Sequence, residues 1–222
     1  MHSSLEKLTL VKNKVNEIIN KKNLNVIPKI IVVTKTFPLN IVSPLIQSGH
    51  IHFGENKLQE AEKKWIELKE TNKNIQLHMI GKLQSNKAKK AVKLFDYIHS
   101  LDNEKLAFKI NQYQKELNKK CKLFIEVNLA NESQKGGITE KNLGNFYDYC
   151  VKDLSLNIVG LMCLPPINSN SSDYFKLLKN NSEKLNLKDL SMGMSSDYEQ
   201  AVLHGSTYLR IGTAILGERT II

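Results

Sequence analysis

The first part of the chain repeats apolar residues at steps of three and four. Leu5, Leu8, Val11 and Val15 follow this spacing, with charged or polar residues between them. Steps of three and four place side chains on one face of a helix. The pattern therefore predicts an amphipathic helix over residues 3–22.

The next apolar segment, Ile30–Val33, is continuous and β-branched. Such a run is too short for a helix and is typical of a parallel strand buried on both faces. After it, strand-like and helix-like segments alternate to the end of the chain. Strands are predicted near residues 29–35, 50–54, 75–80, 96–100, 122–128, 156–163, 188–192 and 207–211. Helices are predicted near 39–48, 56–70, 85–94, 103–119, 139–152, 172–185 and 196–204, with a last short helix from 213.

This alternation indicates an α/β fold with parallel strands and right-handed crossovers. Eight strand–helix units in about 190 residues fit a single, compact (β/α)8 TIM barrel with an extra N-terminal helix. No linker-like segment divides the chain, so residues 1–222 are predicted to form one domain. An open doubly wound sheet is the alternative, but Thr34-Lys-Thr36 replaces the Gly-rich first turn that such sheets usually carry.

Composition narrows the class of protein. Of the 222 residues, 41% are apolar and 24% charged, as in ordinary globular proteins. No segment approaches the ~20 apolar residues of a membrane helix, so no membrane partner is expected. The three cysteines are far apart and suit a reducing cytosol, which predicts a cytoplasmic protein. Of the six histidines only His50 and His52 are spaced like metal ligands, and because that pair alternates along an apparent strand, no metal site is predicted.

The formal net charge of +10 raises the question of a nucleic-acid partner. Of the 32 basic residues 30 are lysines, and glutamates are interspersed among them, as in Glu60–Glu67. Only residues 87–93 and 119–122 are locally dense in lysine. No aromatic-interleaved RNA motif or zinc finger accompanies them. We therefore predict no nucleic-acid partner and keep a basic nucleic-acid-binding protein as the weaker alternative.

Chemistry in such barrels is expected where the strands end. Lys35 follows the most apolar strand of the chain. Partial burial lowers the pKa of a lysine ammonium and supplies the neutral amine that forms a Schiff base with an aldehyde. The alternative is a lysine that simply extends into solvent, and the residue taken alone favours that alternative.

Small residues follow the last two predicted strands, in Ser191–Asp197 and Arg210–Thr213. Glycine lets a phosphate approach the backbone, while hydroxyl and amide groups at a helix start bind it. Either loop alone favours the alternative, a tight turn with a helix cap. Phosphate sites in these barrels frequently use this pair of loops, so together they predict a phosphate site with Ser195, Gly212 and Thr213.

A lysine after the first strand and a phosphate site after the last two predict a phosphorylated aldehyde, and pyridoxal 5'-phosphate (PLP) is the candidate cofactor. Arg210 would then face the pyridine nitrogen and keep it unprotonated. Asn56, after the second strand, contacts the ring or caps the next helix, and Met194 forms a wall of the pocket. The predicted cofactor-binding residues are Lys35, Asn56, Met194, Ser195, Arg210, Gly212 and Thr213. No catalytic residue is predicted.

Several motifs occur together in one order and spacing. They are Thr34-Lys-Thr36, Phe53-Gly-Glu-Asn56, His78-Met-Ile-Gly81 with Leu83-Gln-Ser-Asn-Lys87, Gly160-Leu-Met162, Ser191-Met-Gly-Met-Ser195 and Arg210-Ile-Gly-Thr213. Through them the chain resembles the pyridoxal phosphate homeostasis proteins over nearly its whole length. The resemblance implies the barrel of the alanine racemase N-terminal domain, with PLP on Lys35, phosphate at Ser195 and Gly212-Thr213, and Arg210 at the pyridine nitrogen.

The resemblance also implies a function, which is to bind, buffer and deliver PLP in vitamin B6 homeostasis, with PLP-dependent apo-enzymes as candidate recipients. Alanine racemase has a second, β-rich domain and a tyrosine donated across its dimer interface, whereas this sequence ends at Ile222. A monomer is therefore slightly favoured over a dimer, and catalysis is not implied. The alternative, a PLP-dependent racemase or lyase of small amino acids, needs a second acid or base, for which the sequence offers no strong candidate.

Overall fold

Eight parallel strands close into a barrel in the computed structural model, which describes residues 3–132, 134 and 136–218. The first strand pairs with the second and with the last, and the fourth pairs with the fifth, so no edge remains. The strands are β1 Lys29–Val33, β2 His52–Glu55, β3 Gln76–Met79, β4 Tyr97–Leu101, β5 Lys122–Asn128, β6 Ile138–Thr139, β7 Ile158–Met162, β8 Asp189–Ser191 and β9 Tyr208–Ile211.

The predicted TIM barrel is thus confirmed, and each barrel strand lies within a few residues of its predicted position. The exception is β6, a two-residue strand that pairs only with β5, outside the barrel, and that the apolar pattern does not predict. Both ends of the predicted 1–222 domain lie outside the described residues.

Helices follow the strands and cover the outside of the barrel. They are α1 Ser3–Lys22, α2 Leu39–Gln47, α3 Leu58–Thr71, α4 Ala88–Leu94, α5 Glu104–Glu116, α6 Glu140–Asp148, α7 Ser171–Lys184, α8 Tyr198–Leu203 and α9 Thr213–Leu216. The start of the predicted helix 85–94 is a 3₁₀ turn, Ser85–Lys87, and the end of the predicted helix 139–152 is a π turn, Tyr149–Asp153. None of the helices described here is long and apolar enough to cross a membrane.

Apolar side chains form two layers on either side of the strands. On β1, Ile30 and Val32 pack outward against the helices, while Ile31 points into the barrel. The inner layer is small and rich in aromatic rings, and it consists of Ile31, Tyr97, Phe124, Met162 and Tyr208. A filled barrel of this kind is a packed core, so a ligand has room only where the strands end.

Candidate cofactor site

A cavity of about 390 Å³ opens at the C-terminal ends of the strands, between the loops after β1, β2, β3, β7, β8 and β9. This volume is within the range of small-molecule sites. The cavity is lined by Val33, Lys35, Phe37, Asn56, Ile80, Leu164, Met194, Ser195, Ser196, Arg210, Gly212 and Thr213. The structure therefore brings all seven predicted cofactor-binding residues to one cavity.

Lys35 is the second residue after β1, and hydrogen bonds hold the backbone on both sides of it. The Thr34 amide donates to the Gly54 carbonyl at 2.9 Å. The Thr36 amide donates to the Glu60 carboxylate, and Thr36 has a left-handed backbone with φ of 68°. A non-glycine residue adopts that conformation at a cost, which the surrounding contacts must offset. The backbone that presents Lys35 to the cavity is thus fixed from two neighbouring elements.

Behind Lys35 lies a buried cluster on the outer side of β2. Oε1 of Glu55 accepts hydrogen bonds from Thr34 Oγ1 at 2.6 Å, Lys64 Nζ at 2.8 Å and Trp65 Nε1 at 2.9 Å. Lys64 Nζ also donates to the Thr34 carbonyl at 2.7 Å. Since ionised donors and acceptors form the stronger hydrogen bonds, this cluster ties α3 firmly to the strand end that carries Lys35.

Lys64 was not predicted as part of the site, because it lies in Glu60–Glu67, a segment whose mixed charges are typical of a solvated helix face. One signal was available. Glu60 and Lys64 are four residues apart and so share a face of α3, which they present to the end of β1.

Ser195 lies where two loop amides converge. Its Oγ accepts hydrogen bonds from the Gly212 amide at 3.3 Å and the Ala214 amide at 3.2 Å. A Cβ added to Gly212 would lie 3.5 Å from Val33, at the cavity wall, so glycine leaves that space open. A hydroxyl and two convergent amides form a donor set that suits a phosphate.

Both helices beside these loops are short, and the first is shorter than predicted. The helix expected from residue 196 begins at Tyr198 and has 6 residues, and α9 has only 4. Helices of one or two turns carry a small macrodipole. The donors available to a phosphate here are therefore individual amide and hydroxyl groups rather than helix dipoles.

Gly193 shapes the loop that carries Met194 and Ser195. Its φ is 92°, and a Cβ at this position would lie 2.5 Å from Cβ of Ala201. Both observations require glycine. The Met194 amide then donates to Oδ1 of Asp197 at 2.7 Å, and the Met194 side chain, 37% exposed, lies at the rim of the cavity.

Arg210 is buried at the cavity floor, with 4% of its surface exposed. Its Nη1 donates to Ser191 Oγ at 2.6 Å and its Nη2 donates to the Cys163 carbonyl at 2.9 Å. Burial lowers the pKa of this guanidinium from its usual value, while Cys163 and Asp197 act in the opposite direction. An arginine pKa starts so high that the group keeps its charge.

Asn56 lines the cavity and does not cap the next helix. The N-cap of α3 is Lys57, and no side chain caps it, so that alternative is wrong. The backbone of Asn56 packs closely against Gly81, where a Cβ would lie 2.3 Å from the Asn56 carbonyl oxygen. This contact keeps the loop after β2 against the loop after β3.

Glu126 is a titratable group near the site that was not predicted from the sequence. It is half-buried on β5, and burial raises the pKa of its carboxyl to about 7, with a further contribution from Asp102, while Arg210 lowers it. Glu126 is not among the residues that line the cavity. The signal for it was its position in the otherwise apolar core of the strand 122–128.

Comparison with known proteins supports the resemblance that the sequence motifs indicated. Residues 11–220 match the family model of the alanine racemase N-terminal domain. The pyridoxal phosphate homeostasis protein of Aquifex aeolicus is 36% identical over 200 residues, which cover 86% of this chain and 87% of that protein. The chain belongs to the pyridoxal phosphate homeostasis protein family. The member from Schizosaccharomyces pombe is 35% identical over 233 residues, covering 99% of this chain and 93% of that protein.

A solved structure also superposes over most of the chain. PipY of Synechococcus elongatus, solved with PLP bound, has a TM-score of 0.79 and 32% identity, and the match covers 91% of this chain and 100% of that protein. The resemblance inferred from the motifs is therefore confirmed.

Proposed function

We propose that this pyridoxal phosphate homeostasis family member binds PLP in the cavity and holds it covalently on Lys35. The observation that carries the proposal is the arrangement of three chemically distinct groups around one cavity. These are an amine on Lys35, a phosphate-type donor set around Ser195 and a buried cation on Arg210. PLP has an aldehyde, a phosphate and a pyridine nitrogen to match them.

Lys35 is the covalent attachment point in this proposal. Its neutral Nζ forms a C=N bond to the aldehyde carbon, and the aldehyde oxygen leaves as water. Water or another amine reverses this bond, so the same residue retains and releases the cofactor. Reversible retention of this kind is the basis of a role in intracellular PLP, or vitamin B6, homeostasis.

The other residues orient the cofactor. Ser195, Gly212 and Thr213 bind the phosphate, with Asn56 and Met194 beside the ring. Arg210 donates to the pyridine nitrogen and, because a guanidinium does not give up its proton, leaves that nitrogen unprotonated. An unprotonated ring is a weak electron sink, which suits a carrier better than an enzyme of carbanion chemistry. We assign no catalytic residue.

We further propose that residues 1–222 act as one domain and as a monomer, in the cytoplasm. There the protein supplies PLP-dependent apo-enzymes and binds no nucleic acid. Support for a reducing compartment comes from Cys121, Cys150 and Cys163, which are buried free thiols. Support against nucleic acid comes from lysines that ion-pair with neighbouring helices, as Lys89 does with Glu116.

An absorbance spectrum with borohydride trapping tests the covalent site. The purified protein with PLP is expected to be yellow, and borohydride is expected to fix the cofactor on the peptide that contains Lys35. Lys35→Ala abolishes both signals, whereas Lys63→Ala, at an exposed lysine of α3, retains them. A colourless wild-type protein, or label on a different lysine, contradicts the proposal.

Glu126 is the observation that favours a second candidate, a PLP-dependent racemase or lyase of small amino acids. A carboxyl with a pKa of about 7 is suited to proton transfer near neutral pH. Substrate turnover well above that of free PLP, and lost in Glu126→Gln, would support this candidate. Because Glu126 is not among the residues that line the cavity, the carrier function is the better supported of the two.

A further inference from the structure

Four side chains from four strands form a continuous hydrogen-bonded chain through the barrel interior. Nδ1 of His52 lies 3.0 Å from Nε2 of His78, and Nδ1 of His78 lies 2.9 Å from Nε2 of His99. Nδ1 of His99 then lies 2.8 Å from Oγ of Ser191, which Arg210 also contacts. We call His52, His78, His99 and Ser191 the histidine chain.

Aromatic rings enclose the middle of the histidine chain. His78 stacks on Tyr97 with ring centroids 4.2 Å apart, and His99 stacks on Phe124 at 4.3 Å. Both imidazoles are completely buried. A polar group in such surroundings is costly unless its hydrogen bonds are made, so each ring nitrogen depends on its neighbour in the histidine chain.

The direction of the hydrogen bonds follows from the chemistry of the end groups. A guanidinium can only donate, so Ser191 Oγ accepts from Arg210. Although a hydroxyl oxygen can accept two hydrogen bonds, among the described contacts of Ser191 Oγ only Nδ1 of His99 can accept its hydrogen, so we assign Nδ1 of His99 as unprotonated. A neutral His99 therefore carries its hydrogen on Nε2 and donates to His78.

The direction of the next hydrogen bond, between His78 and His52, follows in the same way. His78 accepts at Nδ1 and therefore donates from Nε2 to Nδ1 of His52. Burial lowers the pKa of His78 and of His99 well below the usual value, and for His99 the charge of Arg210 adds to this effect. Both rings stay neutral, and the positive charge lies on Arg210, which contacts the Ser191 end of the histidine chain.

We propose that Ser191, His99 and His78 are positioning residues for Arg210, fixing the orientation of its guanidinium plane toward the cofactor. Ser191 and the Cys163 carbonyl occupy one N–H of each terminal nitrogen on the protein side. Because His99 and His78 hold the Ser191 hydroxyl in one rotamer, the remaining N–H groups keep one direction. The cofactor part of this inference rests on the proposed function.

The hydrogen-bond direction is tested first in the protein without cofactor, by nitrogen NMR of isotope-labelled histidine. His78 and His99 are expected to be protonated at Nε2 and not at Nδ1, with no titration from about pH 6 to pH 8. His204, a partly exposed histidine bound to Ser172, is the control, and His204→Gln removes its signal alone. An Nδ1-protonated or titrating His99 overturns the inference.

The positioning role is tested with Ser191→Ala and Ser191→Thr in a PLP titration. Alanine removes the acceptor of Arg210, and the PLP dissociation constant is expected to rise about tenfold, with a shifted absorption maximum. Threonine keeps the hydroxyl and restores both. A purely structural role would lower stability without moving the absorption maximum.

The PLP titration and the NMR measurement have negative outcomes that can be told apart. Wild-type affinity and absorption in Ser191→Ala would refute positioning, even if the NMR signals of His99 change. A wild-type protein that binds no PLP would refute the proposed function and the cofactor part of the inference with it. The tautomers of His78 and His99 in the apo-protein would still decide the direction of the histidine chain.

Discussion

Nζ of Lys64 lies 2.8 Å from Oε1 of Glu55, and only 9% and 0% of the two side chains are exposed. An ion pair so well shielded is strongly affected by the loss of one member, because the other charge is left buried without its partner. The pair joins α3 to the strand end that presents Lys35, so its loss affects both stability and the site.

Lys64→Met is expected to lower the free energy of unfolding by about 3 kcal/mol, since it leaves the Glu55 carboxylate buried without a countercharge. Adding Glu55→Gln removes that charge and recovers part of the loss, which urea unfolding of single and double variants measures as a coupling energy. Lys63→Met, at the exposed neighbouring position, is the control, with a change within about 0.5 kcal/mol. Equal effects of the two lysine substitutions would contradict the assignment.

Ser195→Ala with Gly212→Ala is expected to weaken PLP retention at least about tenfold, because it removes a hydroxyl donor and fills the space beside the amides. The fold should persist, since a Cβ on Gly212 meets Val33 at an ordinary contact distance of 3.5 Å. Absorbance titration and dialysis measure retention, and thermal unfolding of the apo-protein checks the fold. Unchanged retention would rule out the phosphate site.

Gly193→Ala is expected to act on the fold itself. It forces a side chain into a left-handed backbone and into the Cβ of Ala201, which costs about 2 kcal/mol or more. Gly144→Ala, in the middle of α6, is the matched control, because no described atom lies within 4 Å of its added Cβ. That substitution is expected to stabilise the protein by about 0.5–1 kcal/mol. Similar melting temperatures for both variants would contradict this difference.

Glu126 makes the stability of the apo-protein depend on pH. Its pKa is raised from 4.5 to about 7, so the folded state holds the proton more tightly than the unfolded state. The contribution of Glu126 to the free energy of unfolding is therefore full below about pH 4.5. It is lost as the pH rises from there through 7, by on the order of 3 kcal/mol. Glu126→Gln is expected to flatten this decline, which urea unfolding measures between about pH 4.5 and pH 7, the two pKa values of the group. Glu70→Gln, on an exposed face of α3, should leave the profile unchanged.

The barrel was predictable because its signal is local. A continuous apolar run such as Ile30–Val33 marks a strand buried on both faces, and its repetition along the chain indicates a closed parallel sheet. The cavity residues followed from the same pattern, since parallel strands all end on one side. Lys35 and Ser195 could therefore be predicted to share one site, although the sequence does not give the distance between them.

The contacts between elements were not predictable in the same way. Lys64 has an ordinary helix sequence around it, and only the packing of α3 on β2 shows that its ammonium is buried. His52, His78 and His99 are separated by 26 and 21 residues, which is no recognisable spacing. They become neighbours because successive strands pair in register, as His78 does with Tyr97 and Gly54.

The pairing of β1 with β9 places Ile31 opposite Arg210 and Val32 opposite Ile211. The two groups of residues proposed to hold the cofactor are therefore neighbours in space but far apart along the polypeptide. During synthesis, a nascent chain exposes Lys35 long before Arg210 and Gly212 have left the ribosome. In the proposed site, cofactor capture must wait for the closing strand, so a loaded protein is one whose barrel has already closed.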